Sequence, residues 1–342
     1  MSSQHTKILN VNNFDDANSV KEAAKLLKNG ELVAFPTETV YGLGANGLST
    51  EAVMNIFTAK GRPSDNPLIL HIGELEQLDA LVSERSELAN QLIESFWPGA
   101  LTLVMKRSQL VPDIVTAKLD TVAIRMPSHP VARRILKEVQ LPIAAPSANR
   151  SGRPSPTLAE HVMNDLNGRI AAVVDGGACG YGLESTVVDL SGDVPVILRP
   201  GGVTEEMIED AVGTSVMRPT ANTAEHTPKS PGMKYRHYAP DTALIIGGKQ
   251  ANELQELIDQ YRNKGKRVAA AVTADLQKEI QADHHLNLGE KDRLDRVSQR
   301  VYQVLREVDA LQPNVDVCII QSFEEKGIGR AIMNRLNKAA NV

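Results

Sequence analysis

TVVDLSGDVPVIL, residues 186–198, holds two aliphatic runs, 186–190 and 196–198, parted by a short spacer bearing Gly192 and Pro195. β-Branched runs of this length, bounded by turn residues, read as strands. Joining them in parallel would take a crossover of about a dozen residues or more, which this spacer cannot supply. Further short runs lie at 32–35, 68–72, 101–105, 122–125, 143–145 and 171–174, again with several spacers too short for a helix. Strict strand–helix alternation is excluded here, and many short strands with few helices predict a mixed, twisted sheet. One helix is expected over 19–30: Ser19 and Glu22 have capping-box spacing, Val20, Ala23, Ala24 and Leu27 share a face, and Gly30 closes it.

The texture changes at about 218–240 to RPTANTAEHTPKSPGMKYRHYAP, rich in Pro, Thr and small residues without apolar periodicity, as in an interdomain linker. Beyond it, strand-like runs at 244–246, 268–272 and 315–320 alternate with helix-like segments at 253–262, 292–311 and 328–338. That alternation implies a parallel sheet in a small doubly wound domain. The expected division is 1–217, a linker at 218–240, and 241–342. A length of 342 residues with 42% hydrophobic and 23% charged residues accommodates two domains and excludes a collagenous or wholly disordered chain.

Aromatics at 4% and a net charge of -5 argue against base stacking or global attraction to phosphate backbones and anionic lipid. The charge lies on residues 1–240, with 22 basic and 27 acidic residues, whereas 241–342 carries 15 of each. Within the acidic part, 96–159 reverses the balance, with nine basic against three acidic residues, so an anion site would be local. The same stretch admits a contact with tRNA or double-stranded RNA, against which the acidic total and the shortage of aromatics count. No apolar run approaches the roughly 18 residues of a membrane span, and MSSQHTKILN lacks a secretory apolar core, so a cytoplasmic location without membrane contact is expected. Cys179 and Cys318 have no C-x-x-C partner and read as small core residues.

Five constellations bear on chemistry. GLGANG, 42–47, formally satisfies G-x-G-x-x-G, but Pro36 and the polar TET before it spoil the preceding strand, so a turn with Gly at positive φ is the better reading. KGRPSDNP, 60–67, places Lys60 as a point charge and Arg62 as a fork on a loop held by prolines and a glycine, suited to a polyphosphate; complementing a helix C-terminus would explain Lys60 alone. His71 ends an apolar run, where a satisfied core histidine is the commoner case. Arg125 interrupts VAIRMP, and a buried guanidinium needs an anion, for which a ligand carboxylate would serve. AAPSAN with RPSPT, 144–149 and 153–157, supplies small residues and hydroxyls for phosphate oxygens or a helix cap. Ser185 has no assignable His and Asp partners, so a binding hydroxyl is favoured over a nucleophile.

PTETVYGLG (36–44), KGRPSDNPLILH (60–71), WPGALTLV (97–104), DTVAIRMPSHP (120–130), APSANRSGRPSPT (145–157), ESTVVDL (184–190) and RPGG (199–202) together resemble the Sua5/YrdC/YwlC family of threonylcarbamoyl-AMP synthases. SPGMKYRHYAP (230–240) and the doubly wound tail resemble its longer, Sua5-type form. The resemblance implies a YrdC-like open α/β sheet with a positively lined cavity, joined to a Rossmann-like Sua5 domain. It implies a nucleotidyltransferase that converts L-threonine, bicarbonate and ATP to threonylcarbamoyl-AMP and pyrophosphate. Other proteins would take the product on to N6-threonylcarbamoyladenosine in tRNA. It places ATP at Lys60, Arg62, Asn66, Thr121, Ser147, Ser155, Arg199 and Tyr235, and threonine at Thr39, His71, Arg125, Ala145 and Ser185. Tyr235 would make the linker a lid. Magnesium is expected on the ATP phosphates, with no carboxylate cluster identifying protein ligands for it.

Overall fold

The computed structural model describes residues 5–11, 16–219 and 238–340. Tyr235 and most of the expected linker, 220–237, lie outside the described residues. Two compact units emerge: the second takes residue 238 onward together with Gly152–Ser155 and Tyr181–Leu183, and the first takes the remainder.

The first unit is built on a ten-stranded sheet. Its strands are β1 (Lys7–Asn10), β2 (Val33–Phe35), β3 (Gly42–Asn46), β4 (Ile69–His71), β5 (Leu101–Lys106), β6 (Thr121–Arg125), β7 (Ile143–Ala144), β8 (Ala172–Asp175), β9 (Thr186–Asp189) and β10 (Val196–Arg199). The spatial order is β1-β8-β2-β3-β7-β4-β6-β5-β9-β10. β9 and β10 pair antiparallel, as their short spacer requires, while β5 with β9 and β4 with β6 are parallel, so the sheet is mixed.

The expectation of few helices does not hold: α1 (Ala17–Lys28), α2 (Thr50–Lys60), α3 (Glu76–Leu81), α4 (Glu87–Phe96), α5 (Asp113–Thr116), α6 (Pro130–Val139), α7 (Ala159–Leu166) and α8 (Glu205–Val212) cover the sheet. Period-2 alternation divides the core between them. Val33, Phe35, Ala172 and Val174 pack with α1 and α6, whereas Ala34, Val173, Leu43 and Ala45 pack with α2 and α4. α1 starts earlier than its sequence suggests. The Asp16 carboxylate accepts from the amides of Asn18 and Ser19 and from the Ser19 hydroxyl, so Asp16 is the cap and the Ser19–Glu22 box does not form.

GLGANG is not a turn. Gly42 to Asn46 form β3 between β2 and β7, and neither Gly42, Gly44 nor Gly47 has positive φ. What requires glycine is close approach: a Cβ on Gly44 would meet Phe35 Cε1 at 2.7 Å, and one on Gly47 would meet Leu70 Cδ2 at 2.5 Å and the Pro142 carbonyl at 2.8 Å. A backbone paired on both edges has no amides to offer a pyrophosphate, so the G-x-G-x-x-G match marks no dinucleotide site.

The second unit is a four-stranded parallel sheet of β11 (Ala243–Ile246), β12 (Val268–Val272), β13 (His284–Asn287) and β14 (Val317–Ile320), in the order β11-β14-β12-β13. α9 (Ala251–Arg262), α10 (Leu294–Glu307) and α11 (Ile328–Ala340) complete it. Val268, Ala270 and Val272 pack with Leu254 and Ile258 of α9, so Ala269 and Ala271 face the opposite side. Both cysteines are buried free thiols, and no described helix is long and apolar enough to cross a membrane.

Gly47→Ala is expected to lower the urea midpoint of unfolding, at an overpacking cost of about 1–3 kcal/mol. Gly192→Ala, where an added Cβ meets nothing within 4 Å, should stay within about 0.5 kcal/mol of the parent.

Candidate functional site

Five neighbouring strands carry the polar residues to one face of the first sheet. β4 and β6 pair with Ile69 opposite Ala123 and His71 opposite Arg125, so each pair shares a face. β5 joins β6 with Val104 opposite Ala123, and the register continues to place Thr102 beside Arg125. β9 follows, with Val187 opposite Thr102 and Arg199 of β10 opposite Val187. Ile69, Val104, Ala123 and Val187 make a small apolar strip on this face, and His71, Arg125, Thr102, Ser185 and Arg199 stand around it.

Arg125 is the most constrained of these, with 3% of its surface exposed. Its Nε donates to the Gly99 carbonyl at 3.1 Å and its Nη1 to Thr39 Oγ1 at 2.8 Å. Its Nη2 lies 2.6 Å from Oε1 of Glu38, itself only 8% exposed. This is an ion pair at contact distance without hydrogen-bond alignment, and the backbone amide of Ser128 also acts on the carboxylate. Thr39 is fixed in turn by Thr37, whose hydroxyl lies 2.8 Å from Thr39 Oγ1 and donates to the Val40 carbonyl at 2.6 Å. Burial is the largest influence and works to raise the Glu38 carboxyl, but the Arg125 charge and hydrogen bond, together with the backbone amides of Glu38 and Ser128, outweigh it and hold the group below the usual glutamate range. His71 is pushed down to about 3, by burial first and then by the Arg125 charge. It is therefore a neutral imidazole, and Nδ1, 3.3 Å from the Ile69 carbonyl, must carry the proton, which leaves Nε2 an acceptor.

Ser185 sits beside this group. Its Oγ accepts from Arg199 Nη2 at 3.1 Å and lies 2.8 Å from Thr102 Oγ1, while Arg199 Nε donates to the Ser185 carbonyl at 3.1 Å. Neither partner of the hydroxyl is a base, as the reading of Ser185 as a binding group anticipates. Ala145 donates its backbone N–H to the Ile69 carbonyl and is buried.

A second cluster forms where α2 ends. Gly61, at φ 62°, caps the helix in the left-handed conformation and turns the chain, while Lys60 projects inward, 3% exposed. Its Nζ donates to the Ser147 carbonyl, to the Asn149 carbonyl at 2.6 Å and to Asn149 Oδ1 at 3.5 Å. Three acceptors match the three ammonium donors. Burial, reinforced by the Arg62 charge, pushes Lys60 well below the usual lysine range, with Asp165 opposing. Ser147 Oγ bonds Asn149 Oδ1 at 2.6 Å. Arg62 reaches along its own loop, with Nη2 3.4 Å from the Asn66 carbonyl and 3.2 Å from that of Pro67. Asn66 is buried and Thr121 partly so. Ser155 is buried in Gly152–Ser155, among the residues of the second unit.

The structure thus brings together Thr39, His71 and Arg125 in one group, Ser185 and Arg199 in another on the same sheet face, and Lys60 with Ser147 in a third. Sequence reasoning missed Glu38, Thr37, Thr102 and Asn149. The signal for Glu38 was present: the polar TET between VAF and VYGLG is an anomaly in an apolar run, and Arg125 had been given a ligand carboxylate but no carboxylate of the chain itself. Among the described residues no group of His, Cys, Asp and Glu side chains is placed to hold a metal ion.

The Sua5, YciO and YrdC family, described as telomere recombination, matches residues 25–201, and the C-terminal domain of threonylcarbamoyl-AMP synthase matches 203–341. Threonylcarbamoyl-AMP synthase of Bacillus subtilis is 50% identical over 323 residues, covering 94% of this chain and 92% of the relative. That of Pyrococcus abyssi is 45% identical over 340 residues, 98% of either chain. The crystal structure of Pyrococcus abyssi Sua5 complexed with L-threonine superposes with a TM-score of 0.92, covering 98% of each chain at 45% identity. Escherichia coli YciO, at 22% identity and a TM-score of 0.51 over 58% of this chain, shares the fold. Matched in order over both of its parts, this chain belongs to the Sua5 family of threonylcarbamoyl-AMP synthases.

Proposed function

We infer that this chain is an L-threonylcarbamoyladenylate synthase, joining L-threonine, bicarbonate and ATP into threonylcarbamoyl-AMP with release of pyrophosphate. One observation carries the reading: Arg125, held by Gly99 and Thr39 on a buried sheet face, keeps Nη2 without an aligned acceptor. A guanidinium has five donors in a fork that fits a carboxylate, and an amino acid presents one. Around it, Thr39, the acceptor nitrogen of His71 and the Ser185 hydroxyl suit an amine and a secondary alcohol, and Ala145 contributes backbone. The relative with threonine bound supports this assignment.

ATP is assigned to Arg62, Asn66, Thr121, Ser147, Ser155 and Arg199, with Tyr235 as a contact from a closing linker. Lys60 adds its charge to this site and, with its donors engaged, sets the position of Ser147 and Asn149. The carbamate oxygen of the carbamoylated threonine attacks the α-phosphorus and pyrophosphate leaves. Arg62 and Arg199 stabilise the charge that develops, and no covalent enzyme intermediate is needed. Magnesium enters with ATP as part of the substrate. The product passes to the proteins that modify tRNA, in the cytoplasm. A direct contact with tRNA has only the basic stretch at 96–159 in its favour.

Incubation with ATP, bicarbonate and threonine is expected to release pyrophosphate only when threonine is present, with threonylcarbamoyl-AMP identified by mass spectrometry. Release that ignores threonine, or none at all, contradicts the assignment. Arg62→Ala should raise the ATP KM about tenfold or more, through loss of a charge-assisted contact of roughly 1.5–3 kcal/mol, and leave the threonine KM within about twofold. Arg125→Lys should do the reverse, because an ammonium cannot reproduce the fork. Deleting residues 231–342 should impair synthesis; undiminished activity would refute the lid.

A further inference from the structure

We propose that Glu38 is the general base for the threonine amine, and that Arg125 frees it for this task by exchanging the Glu38 carboxylate for that of the substrate. The inference rests on the threonine assignment above. Glu38 is more than nine-tenths buried, with the backbone amide of Ser128 acting on its carboxylate. Its single close charge is Arg125 Nη2, at 2.6 Å. Arg125 is otherwise anchored through Nε and Nη1, so Nη2 is the end of the fork that can change partner while Gly99 and Thr39 keep their bonds. An amino acid whose carboxylate meets Nη2 has its nitrogen two bonds from the carboxylate carbon. That separation brings the ammonium to the neighbourhood of the carboxylate it has displaced.

The surrounding groups leave this proton to Glu38. Four other titratable side chains act on it or are acted on by it: Arg125, His71, His129 and Cys179. Arg125 is a permanent cation. His71 and His129 are both lowered, by burial first, so neither supplies a replacement positive charge. The Cys179 thiol is pushed up by burial and stays protonated. His71 accepts a hydrogen bond but is too weak a base to keep a proton. Once Arg125 turns to the substrate, the desolvation of Glu38 is no longer outweighed and its affinity for a proton rises. The base is thereby strengthened when a carboxylate-bearing substrate is present.

The step balances. Glu38 carboxylate and the threonine ammonium give the carboxylic acid and a neutral amine. The nitrogen lone pair then forms a bond to the bicarbonate carbon, the carbon–hydroxyl bond breaks, and the second proton from nitrogen joins the departing hydroxide as water. The product is the threonine carbamate, and Glu38 returns its proton to solvent. An α-amino group titrates near ~8, so without a base most of the amine is protonated and unreactive at neutral pH.

The test is the full-length chain with Glu38→Gln, assayed at saturating ATP and bicarbonate from about pH 6 to 9.5, alongside threonine binding by calorimetry. The expected result is a kcat lower by about 10²-fold or more at neutral pH, with threonine still bound, and a deficit that shrinks as pH passes the amine's own titration and solvent removes the proton. A wild-type kcat, or a deficit constant across the range, overturns the proposal. If the variant does not reach the wild-type circular dichroism spectrum, Glu38→Asp decides. It should retain the wild-type pH profile with kcat reduced about tenfold, and an unreduced kcat overturns the proposal equally. Wild-type protein that makes no threonine-dependent product defeats the functional assignment instead.

Discussion

A buried guanidinium and carboxylate in contact, Arg125 at the end of β6 and Glu38 in the segment between β2 and β3, set the terms for the rest of the first unit. Burying either charge alone would cost several kcal/mol, and removing one partner of such a pair costs about 3–5 kcal/mol because the other is stranded. Two contacts hold Arg125 in place. Gly99 offers its carbonyl to Nε, and a Cβ there would strike the Phe96 carbonyl at 2.3 Å. Thr37 holds Thr39, and Thr39 holds Nη1.

The sheet places the other groups by register. Parallel β4 and β6 put His71 beside Arg125, and antiparallel β5 adds Thr102, which meets Ser185 from the start of β9. The tight packing of Gly44 and Gly47 brings β3 close to its neighbours, and Gly42 of β3 pairs with Ser147. Lys60 then ties Ser147 and Asn149 to the end of α2. The cation that looks most like a phosphate ligand is thus a buried clamp on the loop that presents the hydroxyl.

Local pattern made the aliphatic strands and the doubly wound tail legible, because their periodicity is strong and their spacers discriminate parallel from antiparallel. Three strands were not legible. Lys7–Asn10 and His284–Asn287 are largely polar sequences held by one neighbour each, and Gly42–Asn46 hides behind glycines selected for close approach rather than for β propensity. Arg125 was legible as a site residue because a charge inside an apolar run demands an explanation. Glu38 showed only as part of a polar anomaly, since its meaning depends on a partner 87 positions away that only the folded chain supplies. Lys60 was legible as a cation but not as one whose donors are taken, because Ser147 and Asn149 approach it through tertiary structure.

The exchange of partners by Arg125 is most directly tested by a crystal structure of this chain with L-threonine bound. Arg125 Nη2 is expected to leave Glu38 Oε1 for the threonine carboxylate, with Nε and Nη1 keeping Gly99 and Thr39 and Glu38 within hydrogen-bond distance of the threonine nitrogen. A Glu38–Arg125 pair still at its present 2.6 Å, with the amino acid held elsewhere or its nitrogen turned away from Glu38, would contradict it.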